Sequence, residues 1–509
     1  MDRRGFCGGL LAATALGGTA GRAAAALATQ GSTAPAIDVV ERFGFVPDGR
    51  TDNYDAFHRW ADHANRARGG NYVFRPGTYY VGRHRTPDSA VAGGAGGRNP
   101  HISGCDGLTI SGGGVKIVIN GRFHRSAGRG AQNAALMPFE LSNCRNVVIS
   151  GFEIDGGVRD TTRDPSVDEM YTHLISLSGC VGVTLEDLDL HHSQTDAVFL
   201  YQSGYPARGI GRACRNITLR RVRCRNNARG GLAALHVNGL LCVDCSFSGS
   251  GVDVGRYGWH PPAFGVTMEP DYVGEDKIDA WTGNLEFRNC RFEDNMVAFG
   301  AAYRSHYRGY LRLIDCVTTN PRNNQYSVFI SWPGAVVQGG SFDVGTGAFY
   351  SGWDGESGSD LTIRDAQIRA SGSLGLFHYL HGSLLTLERV KLVGTHRTAL
   401  PNGVVLDISG DPGGGRHNRM TDCEIFVPAA RKSRAANYDV EVLLAHTVTR
   451  NNLFRTDLPA GGGAHFCTNY GERTVAIGDR YRGTAPGPAD SFRPGVNAAH
   501  DTRQPFSKR

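Results

Sequence analysis

Two carboxylates stand close together in "GVTMEPDYVGED", residues 265–276: Glu269 and Asp271. Glycoside hydrolysis needs such a pair, one carboxyl to protonate the leaving oxygen and one carboxylate to act as base or nucleophile. On an extended strand, residues two apart share a face and lie about 6.6 Å from each other. Val266 and Met268 read as core-facing, so Thr267 and Glu269 face outward. If Leu200, Leu235 and Met268 stack, then Tyr201 of "DAVFLYQSG" and His236 of "GGLAALHVNG" join Glu269 in one column, with Gly300 leaving space beside them. His236 then tunes or orients a carboxylate. A β-elimination would instead use His236 or Tyr201 as the base, with Arg229 neutralising a uronate carboxylate. A slip of one residue removes His236 from the column. The plain alternative is that Glu269 is an exposed strand-end carboxylate before Pro270.

Other residue types suit saccharide binding. Asp196 and His192, in "HHSQTDAVF", stand where a turn enters a strand and read as solvated turn residues or substrate contacts. Trp259 and His260 lie on an apparent insertion, "GVDVGRYGWHPPAFG", and Tyr303 lies in "AAYRSHYRGY". Aromatics on loops beside a groove stack on sugar faces or simply pack the loop down. No CxxC pair or Cys/His spacing indicates zinc, and no acidic cluster indicates calcium. The expectation is therefore no metal and no cofactor.

These residues must be held by elements, and the chain supplies them by repetition. One phrase recurs: apolar, x, apolar, two polar residues, a small or apolar residue, x, apolar. It appears as "GVTLEDLDL" (182–190), "NITLRRVRC" (216–224), "NLEFRNCRF" (284–292), "DLTIRDAQI" (360–368) and elsewhere. From Leu285 to Leu385 it returns every 24 to 26 residues; earlier steps are longer and must carry inserted loops. A unit of two or three short strands cannot bury its apolar face alone, whereas stacked units can. The repeat therefore predicts a parallel β-solenoid of about 10–12 coils. The cysteines obey the repeat. Cys245, Cys290, Cys316 and Cys423 share one position, and Cys105, Cys144, Cys180 and Cys214 another. Stacked inward, they predict ladders of free thiols filling the interior.

The net charge of +6 rests almost wholly on arginine, without a basic run that would suit nucleic acid. Arginine offers forked contacts to carboxylate, sulfate or phosphate. At the start, Arg3-Arg4, a short Ala/Gly/Leu stretch and Ala26-Leu27-Ala28 read as a twin-arginine export signal over 1–28. The apolar part is too short to span a membrane. A folded protein handed to the twin-arginine machinery, then periplasmic or secreted, is the expectation. "TDNYDAFHRWADHANRARGG" places Phe57, Trp60, Ala61 and Ala64 on one helical face, as a cap for the first coil. The β-helix is expected over 40–455, and 456–509 as a C-terminal cap and a partly disordered tail.

Residues 41–83 carry Phe43-Gly44, Asp48-Gly49, Thr51-Asp52, Gly69-Gly70 and Pro76-Gly77-Thr78-Tyr79. This series resembles the N-terminal signature of the pectin-lyase-like right-handed β-helix superfamily. The resemblance implies an all-β fold, a right-handed parallel β-helix, and sets polysaccharide cleavage as the leading function. It does not assign a reaction, because one fold hosts many chemistries. The G-H-G and R-I-K motifs of polygalacturonases and the D-P-H of mannuronan epimerases are absent from the chain. The expected function is cleavage of glycosidic bonds in a polysaccharide, acidic polymers included, with hydrolysis ahead of lyase action. A non-catalytic saccharide-binding or structural β-helix is the reading from a different class.

Overall fold

A computed structural model describes residues 34–84, 98–123, 135–162, 172–203, 212–260, 263–268, 281–301, 307–319, 321–322, 327–351, 359–371, 375–378, 382–395, 406–427, 440–456, 467–470, 473–482, 492–494 and 507–508. The signal segment, Glu269, Asp271 and Tyr303 lie outside the described residues.

The phrase that repeats in sequence is one bent strand pair in space. Its second polar residue turns the corner with positive φ, as Asp187, Asp244, Asn289, Asp315, Asp365 and Asp422 do. Asp and Asn tolerate that left-handed conformation better than other side chains, which is why the phrase carries them there. The chain enters on one arm, bends at this residue and leaves on a second arm. It then crosses a wider corner into a third face. The two arms build a 27-stranded sheet and the third face a 14-stranded sheet. The pairings that build them are parallel, and together they form a right-handed parallel β-helix.

The elements that matter for function are a capping helix, α1 (Tyr54–Ala67), and nine strands of the first coils. These are β1 (Asp106–Ile119), β2 (Arg145–Asp155), β3 (Ile175–Ser178), β4 (Val181–His191), β5 (Asp196–Tyr201), β6 (Cys214–Arg225), β7 (Gly230–Ala234), β8 (Phe264–Met268) and β9 (Val297–Ala301). Strands β1, β2, β4 and β6 each run over both arms, and β3, β5, β7, β8 and β9 belong to the third face.

Inward side chains stack in register from coil to coil. Leu108, Val147, Val183, Ile217, Leu240 and Leu285 form one such column. All are buried, each adding about 1.5–3 kcal/mol of burial. Ten cysteines between Cys105 and Cys423 are buried and free. Backbone bonds from Val317 to Cys290 and from Ser341 to Cys316 continue the column begun by Arg291 and Cys245. Gly340, Ala366 and Val390 occupy the same position before Cys423 takes it up again.

Helix α1 buries Phe57, Trp60, Ala61 and Ala64, the face its spacing predicts, and closes the first coil. At the other end the ladders run past residue 455. Leu453–Thr456 pairs with Arg480–Arg482, which pairs with Ser507–Lys508. The third face thus holds fourteen strands, more coils than the repeat alone suggests. Among the described residues no helix is long and apolar enough to cross a membrane.

Candidate functional site

On the third face, Val266 and Met268 lie in the core as the alternation requires. The register differs from the expected column. Leu200 is level with Ala234, Ala233 with Thr267, and Thr267 with Gly300. Ala234, not Leu235, therefore faces inward beside Met268. The interior of these coils is filled by Phe247, Phe287, Phe292 and Phe299, and alanine is what fits against them. Leu235 joins Phe199, Tyr201 and Ala233 in a separate apolar cluster on the outer side. Tyr201, His236 and Gly300 therefore do not share one level: Gly300 is level with Thr267, and His236 stands one residue out of line. His236 occupies the turn after β7, fully buried, its ring 5.0 Å from that of Tyr201.

Asp196 and His192 are not solvated turn residues; both are buried. The reason is the insertion. Its Val254 and Tyr257 pack on Val158 and Ala228, and the His260 N–H donates to the Ala228 carbonyl, so the insertion folds over the corner between second arm and third face. His260 is buried by this, whereas Trp259 stays half exposed. At the corner, Asp196 Oδ2 lies 3.5 Å from His173 Nδ1 and 3.4 Å from Arg229 Nη1. A Cβ on Gly230 would lie 2.6 Å from Asp196 Oδ1, so the glycine makes room for the carboxylate. His173 stacks on Phe199 at 4.1 Å, and Phe199 on Tyr201 at 5.2 Å. Arg229, the cation a β-elimination would turn on a substrate carboxylate, is ion-paired to Asp196. Sheet geometry places Met268 about 13 Å along the strand from the level of Asp196.

Among the described residues an open cleft lies elsewhere, at the bend between the two arms. A cleft of about 530 Å³ crosses neighbouring coils from Lys116 through Glu153, Asp189 and Arg223 to Asp244. Lys116, Glu153, Asp189 and Arg223 are level on successive strands β1, β2, β4 and β6, all pointing outward. Lys116 Nζ is 2.7 Å from Glu153 Oε1. Asp189 accepts from Arg223 at 3.2 Å and from Arg225 at 2.9 Å. Arg221 reaches back to Asp187 and Glu186. Burial pushes the Glu153 carboxyl up, but hydrogen bonds from Lys116 and His191 outweigh it and hold it below the usual range. The bond from Arg221 holds Asp187 down in the same way. Glu153 and Asp189 leave neighbouring strands about 4.8 Å apart. The sequence does carry a signal for this cleft: one outward position of the repeated phrase reads Glu153, Asp189 and Arg223 in successive copies.

His192 belongs with this side of the molecule. Its Nε2 lies 3.3 Å from Asp253 Oδ2 on the insertion, and its Nδ1 2.6 Å from His191 Nδ1. Of the residues singled out by sequence, the structure therefore brings together Asp196 with Arg229 and Tyr201 with His236. It separates His192 from both sets.

No described family and no curated protein matches the chain. Solved structures do. The A-module of the Azotobacter vinelandii mannuronan C-5 epimerase AlgE6 is 15% identical, with 92% of this chain and 100% of that one covered at a TM-score of 0.40. An exopolygalacturonase from Thermotoga maritima is 11% identical, covering 90% and 96%, with a TM-score of 0.38. The Streptococcus pneumoniae surface adhesin PfbA is 11% identical, covering 88% and 91%, with a TM-score of 0.44. At such identities the likeness is one of fold alone.

Proposed function

We propose that this protein is an exported carbohydrate-active enzyme that holds a polysaccharide in the bend-side cleft and hydrolyses its glycosidic bonds. The observation that carries this reading is the cleft: open, crossing several coils along the rod, and lined by level carboxylates and cations. A polymer needs a track of that shape, and sugar hydroxyls or uronate groups need those partners. Glu153 and Asp189 supply two outward carboxylates from neighbouring strands, the pair of groups that glycoside hydrolysis uses. Asp189, held by Arg223 and Arg225, suits the nucleophile. Glu153 suits the proton donor once substrate displaces Lys116 from it. Hydrolysis is favoured over β-elimination because the cleft presents two carboxylates, with its cations engaged on them: Lys116 on Glu153, and Arg223 and Arg225 on Asp189.

The pairing of the cleft carboxylates with cations also favours a second reading, a non-catalytic saccharide-binding β-helix. A panel of neutral and acidic polysaccharides separates the two. New reducing ends with wild type, lost in Glu153→Gln while binding persists, support the enzyme. Saturable binding without turnover supports the binder. The pair first suggested by sequence, Glu269 and Asp271, is tested in the same panel by Glu269→Gln. If that variant alone abolishes cleavage, the reaction is not in the cleft.

A further inference from the structure

Two consecutive histidines end β4 in a geometry that ordinary packing does not explain. Asp155 on β2 and His191 on β4 are level in the sheet and both point outward, one step beyond Glu153 and Asp189. His192 follows with a φ of +57°, and that left-handed turn brings its ring against the ring of His191. His191 Nδ1 and His192 Nδ1 are 2.6 Å apart, and each lies 3.9 Å from Asp155 Oδ1. The three atoms are near enough to share one ion at a common point once the two Nδ1 atoms open from 2.6 Å to about 3.3 Å, as tetrahedral ligation requires. Zinc binds imidazole nitrogen at about 2.0–2.1 Å and carboxylate oxygen at about 2.0–2.2 Å.

The far sides of both rings are held. His191 Nε2 lies 3.2 Å from Glu153 Oε1, and His192 Nε2 lies 3.3 Å from Asp253 Oδ2. A carboxylate only accepts, so each Nε2 must carry the ring proton. In neutral rings this leaves two Nδ1 lone pairs aimed at one another. A cation at the common point relieves the repulsion and uses Asp155 as its third ligand. A carboxylate behind each ligating histidine is the usual outer partner of a metal site. Asp155 is itself oriented by the Gly157 N–H at 3.0 Å, and Asp253 by Arg159 at 3.3 Å.

We infer that Asp155, His191 and His192 bind a divalent transition cation of the zinc class, with Glu153 and Asp253 orienting the two rings. Two nitrogen donors select such ions over calcium or magnesium, which take oxygen. Three protein ligands leave a position open for water or substrate. The proposal departs from the expectation of no metal, and it stands whether or not the cleft binds a saccharide. The sequence hid the site because its ligands come from two coils, and "HH" at a turn reads as two solvated residues.

The test uses the mature, tag-free chain, stripped with a chelator and titrated with Zn(II) against a chromophoric competitor. One equivalent is expected to bind, to raise the thermal unfolding midpoint, and not to be displaced by Ca(II). Co(II) in its place is expected to give visible d–d absorption. His191→Ala and His192→Ala should each weaken binding at least ~100-fold, and Asp253→Asn about 10-fold with stoichiometry kept. Should the histidine variants not fold, Asp155→Asn, nearer the surface, replaces them. Absence of stoichiometric binding, or binding untouched by these substitutions, overturns the assignment and leaves a proton shared between the rings.

Discussion

Glu153 meets opposite demands at the residue scale. In the empty cleft Lys116 and His191 hold it ionised. As a proton donor it must be protonated. The fraction competent for catalysis therefore grows as pH falls, and kcat/KM should drop about tenfold per pH unit above the carboxylate range. A pH profile on the best polysaccharide of the panel reads this directly, and a rate flat from about pH 5 to 8 excludes Glu153 as the donor. His378 sets a second pH dependence, on stability. Burial pushes its imidazole down to about 4, with Ser351 Oγ at 3.0 Å and the Ser383 carbonyl at 3.3 Å around it. The unfolded chain takes up its proton near 6.5 and the folded chain does not. Stability is thus unaffected above about pH 6.5 and declines as pH falls toward 4, by on the order of 3 kcal/mol. Urea unfolding at neutral and acid pH should show that loss, and His378→Gln should shrink it. An equal acid loss in the variant would place the sensitivity elsewhere.

At the scale of elements, the corners decide what each coil can present. The phrase that marks the repeat was legible because its polar pair has one physical job: its second member turns with positive φ between two arms. The capping helix was legible because its apolar residues keep a helical period. Register on the third face was not legible. Ala234 and Leu235 both satisfy an apolar pattern, and only the phenylalanines contributed by other coils decide which one enters the core. The bend-side cleft and the histidine pair were missed for a related reason. Their residues are ordinary polar positions within each coil and become neighbours only across coils. Gly340 tests how tightly the corners are built. It has a φ of +82°, and a Cβ there would lie 2.1 Å from the Cys316 carbonyl oxygen. Gly340→Ala should cost about 2–4 kcal/mol in denaturant unfolding, from overpacking plus left-handed strain. An unchanged midpoint would mean that the coil yields there.

For the whole molecule, a parallel β-helix makes stability a matter of stacking, so ends and interior are both testable. The ladders continue beyond residue 455. Cutting the chain there leaves the strands that end at Leu444, Arg450 and about residue 455 open on one edge, and such open edges pair with other chains. The truncated protein should aggregate, as read by light scattering, while a soluble, cooperatively folding product would show that the last coils are dispensable. The ten free thiols predict that a thiol reagent labels the native protein slowly and the unfolded protein fully. Prompt labelling of the folded chain, or a mass showing disulfides, would contradict the buried ladders. Above these stands the claim that the cleft cleaves a polysaccharide. It is tested most directly by reducing-end release across the polysaccharide panel, with wild type, Glu153→Gln, Asp189→Asn and Glu269→Gln run side by side. Turnover by wild type, cut at least ~100-fold in the two cleft variants with binding retained, is the predicted result. Full activity in both cleft variants, or no turnover of any polysaccharide by wild type, would contradict it.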